Sequence, residues 1–150
     1  MPQNTEFLRL TRAEVDFLCA AYRIAPAGAV PVRTIAGMLS VFPAAAGHLA
    51  QSLAGRGYVR LADRGTFSLT EAGARTAAYH VRRRGIAAAF ADWVMAGTAD
   101  RAVCVRLCEL VPDEAIDAME ARLAAVRAIE EQLAGSRESV TRPRIDFMKS

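Results

Sequence analysis

The sequence predicts a mainly α-helical protein with one β-hairpin after its third helix. Three observations support this: apolar residues recur at helical spacing, two short β-prone runs flank Asp63-Arg64-Gly65, and helix breakers separate the segments. Apolar residues make up 53% of the 150-residue chain, but many are alanine and aromatic residues are only 7%. Small side chains bury little area each, so we expect one domain whose core is completed by dimerisation.

The first helix is predicted to begin at Thr11, because Thr11 and Glu14 have the spacing of a capping box. Val15 and Leu18 belong to its apolar stripe. The segment APAGAVP, residues 25–31, ends the helix.

Two further helices follow. The run VRTIAGMLS predicts a short helix with Ile35, Met38 and Leu39 directed inward, and VFP forms a turn. Pro43 suits the first position of the third helix, and Gly55 or Gly57 supplies the left-handed residue that ends it. The face of the third helix predicted to be exposed contains Ala44, Ala45, His48, Gln51 and Ser52.

The hairpin YVRLADRGTFSLT turns at residues 63–65, where glycine accommodates a positive φ. Thr70 is predicted to cap a long helix that runs from about Glu71 to Met95 and ends at Gly97. Another helix is predicted over roughly 99–111 with Thr98 as its cap, and a last one starts at Pro112.

Three helices followed by a two-stranded wing are the element order of a winged helix–turn–helix. The predicted fold is therefore a winged helix–turn–helix followed by a helical dimerisation region. The predicted boundaries are 1–75 for the winged helix–turn–helix, 76–135 for the dimerisation region and 136–150 for a polar tail that we expect to be mobile.

Charge is uneven along the chain. Residues 1–84 contain 11 arginines against 5 acidic residues, whereas residues 85–150 contain 8 basic and 11 acidic residues. The basic half favours a polyanionic partner such as nucleic acid. Three cysteines without framework spacing predict a cytoplasmic protein, and the N-terminus predicts no signal peptide. Residues 34–55 are uncharged but contain too many polar residues, glycines and alanines for a membrane span.

Enzymatic activity is not expected. The sequence contains no phosphate-binding glycine loop, no nucleophile elbow, no HExxH motif and no candidate catalytic triad.

The segment VPVRTIAGMLSVFPAAAGHLAQSLAGRGYVRLADRGTFSLTEAGARTAAYHVRRR, residues 30–84, resembles the DNA-binding domain of the DtxR/MntR family of metal-dependent repressors. The segment GIAAAFADWVMAGTADRAVCVRLCELVPDEAIDAMEARL, residues 85–123, is similar to the dimerisation helices of that family. The resemblance covers about residues 13–133 and suits the shorter, manganese-type members without an SH3-like domain. It implies a homodimeric transcriptional regulator that binds double-stranded DNA and Mn²⁺, Fe²⁺ or a related ion such as Zn²⁺.

The resemblance also assigns positions to a metal site. Asp16 matches a carboxylate ligand on the first helix, and Cys19 falls where the family has a second carboxylate. Arg84 falls at a ligand histidine, while Cys108 and Glu109 lie on the E/C-x-x-E-H ligand motif together with Val105. Because a guanidinium stays protonated, we predict that Arg84 replaces the metal by pairing with Asp16 and Glu109. The regulator is then metal-independent.

Three interpretations of the thiols Cys19, Cys104 and Cys108 stay open. They are small buried residues, redox sensors with a lowered pKa, or ligands of a soft site for Zn²⁺ or Cu⁺. The soft site would combine Cys19 and Cys108 with Asp16, Glu109 and His80.

The predicted DNA contacts place the third helix in a major groove and the wing against the backbone or minor groove. Gln51 is suited to adenine, and alanine to a thymine methyl group. The full set of predicted contacts is Arg33, Ala44, Ala45, His48, Gln51, Ser52, Arg60 and Arg64. The alternative is a winged-helix interaction module without operator binding, because the third helix starts with a bare Ala44–Gly47 run.

Overall fold

A computed structural model describes residues 10–140, with side chains described as far as residue 138. It confirms the mainly helical fold. The helices are α1 (Arg12–Ile24), α2 (Val32–Leu39), α3 (Pro43–Gly55), α4 (Glu71–Val94), α5 (Arg101–Leu110) and α6 (Asp113–Val140). The strands are β1 (Val30–Pro31), β2 (Val59–Leu61) and β3 (Thr66–Leu69). The chain divides into two compact units, Met1–Arg82 and Arg83–Ser150.

The predicted capping box starts α1. The backbone N–H of Glu14 donates to the Thr11 hydroxyl, and the N–H of Thr11 donates to the Glu14 carboxylate, both at 3.2 Å. Val15 and Leu18 are buried as predicted. Phe17 is buried beside them and packs against Phe67 with the ring centroids 4.9 Å apart. These contacts fix α1 in the core of the first unit.

The helix–turn–helix formed by α2 and α3 agrees with the prediction, with one correction. Ile35 is fully buried, but Met38 is 48% exposed because the short α2 buries only its Ile35–Ala36 side. Pro43 occupies the first turn of α3, and Gly57 has a φ of +83° after its end.

The hairpin of β2 and β3 is antiparallel, with Val59 opposite Leu69. The structure adds β1, which pairs antiparallel with the other side of β3 and places Val30 opposite Phe67. A two-residue strand is too short to show alternation, so the sequence indicated only a helix-breaking segment there.

The start of α4 lies unusually close to the backbone of Tyr58, which follows α3. Gly73 donates its N–H to the Thr70 hydroxyl at 3.1 Å, as expected for a cap, and a Cβ on Gly73 would lie 1.8 Å from the Tyr58 carbonyl oxygen. Further along α4, Ala77 is fully buried in the core of the first unit. Ala77 thus belongs to the first compact unit, Met1–Arg82, and the functional boundary at residue 75 stays a prediction.

The core of the second unit is small. Ala87, Cys108 and Ile116 are buried together, and Met119 packs against them. The cap of α5 is Asp100, whose carboxylate accepts from the N–H of Val103 at 2.8 Å. The predicted cap, Thr98, instead donates its hydroxyl to the Met95 carbonyl at 2.6 Å, because Gly97 already ends α4 in a left-handed turn that keeps Thr98 outside α5.

The last helix is longer than predicted. It continues past Gly135 to Val140, because the polar residues of this stretch are compatible with an exposed helix. Residues 141–150 of the predicted tail lie outside the described residues. No helix between residues 10 and 140 combines the length and apolar character needed to cross a bilayer.

Candidate functional site

The outer face of α3 is the main candidate surface. Ala46, Ala50 and Leu53 face the core and are fully buried or nearly so. The opposite face is exposed and carries the predicted residues Ala44, Ala45, His48, Gln51 and Ser52. The core contacts thus hold α3 with this polar and small-residue face directed outward.

A buried carboxylate connects α3 to α1. Glu14, only 7% exposed, accepts hydrogen bonds from the Ser52 hydroxyl at 3.1 Å and from the Arg56 guanidinium at 2.7 Å. The same carboxylate completes the capping box with Thr11. Ser52, a predicted DNA contact, thus donates its hydroxyl hydrogen bond to Glu14. The network fixes the C-terminal turn of α3 on the start of α1.

Phe42 was missed by the sequence analysis. It precedes Pro43 as the cap residue of α3, no side chain caps this helix start, and the phenyl ring is 84% exposed. An aromatic residue directly before the proline of VFP could have indicated it, but the sequence analysis predicted only a turn for this segment.

The wing presents two exposed arginines. Arg60 lies on β2, and Arg64 lies in the turn with a φ of 60° and ψ of 32°. The Thr66 hydroxyl donates to the Asp63 carbonyl at 2.9 Å and braces this turn. Arg33 is exposed at the start of α2. All three predicted phosphate contacts therefore lie on the surface, on the unit that contains α3.

The predicted metal-site residues differ in their surroundings. In the first unit Asp16 is half-buried and Cys19 is buried, whereas in the second unit Cys108 is buried and Glu109 is exposed. Among residues 10–140 no group of three or more His, Cys, Asp or Glu side chains is placed to hold a metal ion.

The thiol of Cys108 is not activated. Its pKa is raised, chiefly because burial disfavours the thiolate, although the positive charges of Arg83 and Arg84 act in the opposite direction. A redox-sensing thiol needs a lowered pKa, because the thiolate is the reactive form. This environment instead favours the interpretation of Cys108 as a packing residue in the core of the second unit.

A buried arginine organises the second unit. Arg83 is 8% exposed and its guanidinium donates to the carbonyl oxygens of Cys108 at 2.8 Å and Val111 at 2.7 Å. It also forms an ion pair with Asp113. One side chain on α4 thus caps the end of α5 and contacts the start of α6.

Arg83 is adjacent to Arg84, whose predicted pairing with Asp16 and Glu109 stays a prediction. Three consecutive arginines, Arg82–Arg84, occupy α4, and the helical period alone did not show which one faces inward. Arg82 is exposed and Arg84 is half-buried. Burial of Arg83 is decided by the turn between α5 and α6, which offers two carbonyls and a carboxylate at one place.

Comparisons with known proteins give structural matches alone. No family model and no curated protein matches the chain. The structure is similar to IdeR from T. acidophilum, with a TM-score of 0.62 and 18% identity over 77% of this chain and 55% of IdeR. It is similar to the metal-dependent transcriptional regulator MtsR, with a TM-score of 0.61, 17% identity and the same coverages of 77% and 55%.

A third match is ScaR with bound Zn²⁺, with a TM-score of 0.59 and 17% identity over 74% of this chain and 53% of ScaR. The chain spans about half the length of these proteins. Identities this low establish a shared fold and nothing further. The chain therefore has the fold of the metal-dependent transcriptional regulators of the DtxR/MntR family.

Proposed function

We propose that the chain is a cytoplasmic, DNA-binding transcriptional regulator that acts as a homodimer. The observation that carries the proposal is the exposed face of α3, which is held outward by Ala46, Ala50 and Leu53 on a unit that also exposes arginines in the wing. The fold shared with IdeR, MtsR and ScaR supports it. Titration of a labelled random DNA duplex at low and at moderate salt tests the proposal directly. We expect binding that persists at moderate salt.

In the proposed complex α3 lies in a major groove and the wing contacts the backbone. Gln51 and His48 are exposed one turn apart and supply hydrogen-bonding groups for base edges. Arg33, Arg60 and Arg64 supply phosphate contacts, which dominate affinity and weaken with salt.

Replacement of Arg64 by glycine is expected to weaken binding to all duplexes alike. Glycine adopts the positive φ of this position without strain, so the change removes the charge and keeps the turn. The slope of log affinity against log salt concentration should become less steep, by about the amount that one phosphate contact contributes. Fluorescence anisotropy over a salt series measures this.

The comparison variant is Gln51→Ala, which is expected to reduce sequence preference and leave the salt slope unchanged. If both variants bind the best available operator as tightly as the natural protein, α3 and the wing do not dock on DNA in this way.

Dimerisation is proposed to use the second unit, because its buried core is small and many large apolar side chains stay exposed. Among the described residues this exposed set comprises Trp93, Val94, Met95, Val103, Leu110, Ile129 and Leu133. A second copy would remove this apolar area from water.

Replacement of both Ile129 and Leu133 by glutamate is expected to give a monomer in sedimentation velocity. These residues are 57% and 58% exposed and lie on one face of α6, so the charges oppose association without disturbing the core. Met119 is a poorer choice, because it packs against Ile116 within the protomer. A variant that remains dimeric would show that the interface lies elsewhere.

Metal independence is also proposed. The donor set does not fit a site for Mn²⁺ or Fe²⁺, because Cys19 and Cys108 are buried thiols rather than the oxygen donors that these ions prefer, and Arg84 offers no electron pair.

Protein purified without chelator is therefore expected to contain far less than one metal ion per chain by elemental analysis. Added Mn²⁺, Fe²⁺ or Zn²⁺ should leave the Tm unchanged, since an ion that binds the folded state raises it. Stoichiometric metal that is lost in Asp16→Asn and Cys108→Ala would contradict the proposal.

The second candidate function is an interaction module without operator binding. It is favoured by the start of α3, where Ala44 and Ala45 offer no side-chain hydrogen bond to DNA. Binding to random duplex that is confined to very low salt would support this function over the first.

A further inference from the structure

A rigid aromatic residue projects from the surface at the start of α3. Of the large apolar side chains described, Phe42 is the most exposed at 84%, and its neighbours Met38 and Val41 are 48% and 37% exposed. Met38 lies in the last turn of α2, and Val41 and Phe42 follow in the turn before α3; we call these three exposed residues the apolar patch. A ring that stays in water contributes no hydrophobic stabilisation to the folded state.

The backbone around Phe42 is held firmly. The N–H of Val41 donates to the Ala36 carbonyl at 3.0 Å, and the carbonyl of Phe42 accepts from the N–H of Ala46 at 3.1 Å. Pro43 restricts the backbone of the residue before it, and Phe42 accordingly has an extended backbone with φ of −65° and ψ of 144°. A ring on a fixed backbone loses little entropy on binding.

The surroundings of the patch favour a polyanion as its occupant. No acidic residue occurs in the sequence between Asp16 and Asp63, and α2, which leads into the turn, carries the exposed Arg33 at its opposite end. Ala44 and Ala45, which follow on the exposed side of α3, do not reach beyond Cβ. Phe42 is consequently the bulky group at this end of α3.

We propose that Phe42 is a specificity residue that packs against thymine 5-methyl groups in the major groove of duplex DNA. The thymine methyl is the apolar feature of the major-groove edge, and phenylalanine is among the side chains that contact it. This inference rests on the proposed DNA-binding function and adds a base preference to it, at a helix start that carries no hydroxyl or amide side chain.

The test compares two duplexes of equal length, one of alternating dA and dT and one of alternating dA and dU. They differ by the 5-methyl group. The full chain is expected to bind the thymine duplex about fourfold more tightly for each methyl group covered. Phe42→Ala should bring this ratio close to one, whereas Phe42→Leu, which is still apolar, should retain part of it. Fluorescence anisotropy at fixed salt measures all three proteins.

Three controls separate the contact from general effects. Arg64→Gly should weaken binding to both duplexes and leave their ratio unchanged. Phe42→Ala should keep the Tm of the natural protein, because the removed ring is exposed. Replacing cytosine by 5-methylcytosine in a G·C duplex adds the same methyl group to another base pair, and it should strengthen binding of the natural protein and not of Phe42→Ala.

The possible failures are distinguishable. If the natural protein binds neither duplex, the proposed function is wrong and this inference with it. If it binds both equally, or if Phe42→Ala keeps the thymine preference, the inference alone is wrong. A change of oligomeric state in Phe42→Ala would show that a second copy covers the patch, and this also overturns the inference.

Discussion

Replacement of Gly73 by alanine is expected to destabilise the protein by about 3 kcal/mol or to prevent folding. The added Cβ would lie 1.8 Å from the Tyr58 carbonyl oxygen and 2.9 Å from its carbonyl carbon. This carbonyl cannot move freely, because it accepts a hydrogen bond from the N–H of Thr70 at 3.0 Å. The Tyr58 N–H in turn donates to the Leu53 carbonyl at 2.9 Å, so relief of the overlap would disturb the end of α3. The Tm should fall by about 10 °C.

Gly85 is the matched control on the same helix. A Cβ there meets nothing within 4 Å, and alanine in place of glycine within a helix stabilises by about 0.5–1 kcal/mol. Thermal unfolding should thus show opposite shifts for the same substitution at two positions of α4. Equal stability of Gly73→Ala and the natural protein would disprove the close approach of α4 to Tyr58.

Replacement of Arg83 by methionine is expected to cost about 3 kcal/mol of unfolding free energy. Methionine retains the apolar stem but removes the donors to the Cys108 and Val111 carbonyls and the ion pair with Asp113. The Cys108 carbonyl bond is buried, so its acceptor loses its partner without gaining water. The Asp113 side chain is 38% exposed and can be rehydrated, which limits the cost. Urea unfolding measures the difference.

Two variants test whether the geometry or the charge matters. Arg75→Met removes an exposed ion pair with Glu71 on the same helix and should cost less than about 0.5 kcal/mol. Arg83→Lys keeps the charge but not the planar fork that reaches two carbonyls and a carboxylate together, so its stability should be intermediate. If Arg83→Met matches Arg75→Met in stability, Arg83 does not organise the second unit.

Local signals made much of the fold predictable. Four expected local features are present: the Thr11 and Glu14 capping box, Pro43 at a helix start, positive φ at Gly57 and Gly97, and the hairpin around residues 63–65. Each depends on residues adjacent or a few positions apart, whose conformational preferences act in any surroundings. The exposed face of α3 was also predictable, because helical periodicity places its small and polar residues opposite Ala46, Ala50 and Leu53.

The features that depend on distant parts of the chain were not predictable in this way. Three features each require knowledge of what lies opposite: the pairing of Val30 with Phe67, the close contact of Gly73 with Tyr58 and the burial of Arg83. The cap of α5 is Asp100 rather than the predicted Thr98 for the same reason, because the turn at Gly97 determines where α5 can begin.

The sequence by itself therefore determined the order of the helices, the ends of the first three and the wing, together with the outward face of α3. The tertiary structure alone decided which arginine is buried, where the first unit ends and that Phe42 stays exposed. The physical reason is that caps and periodicity are short-range preferences of the backbone. Burial and ion pairing are set by the groups that the folded chain brings together, as the turn between α5 and α6 does around Arg83.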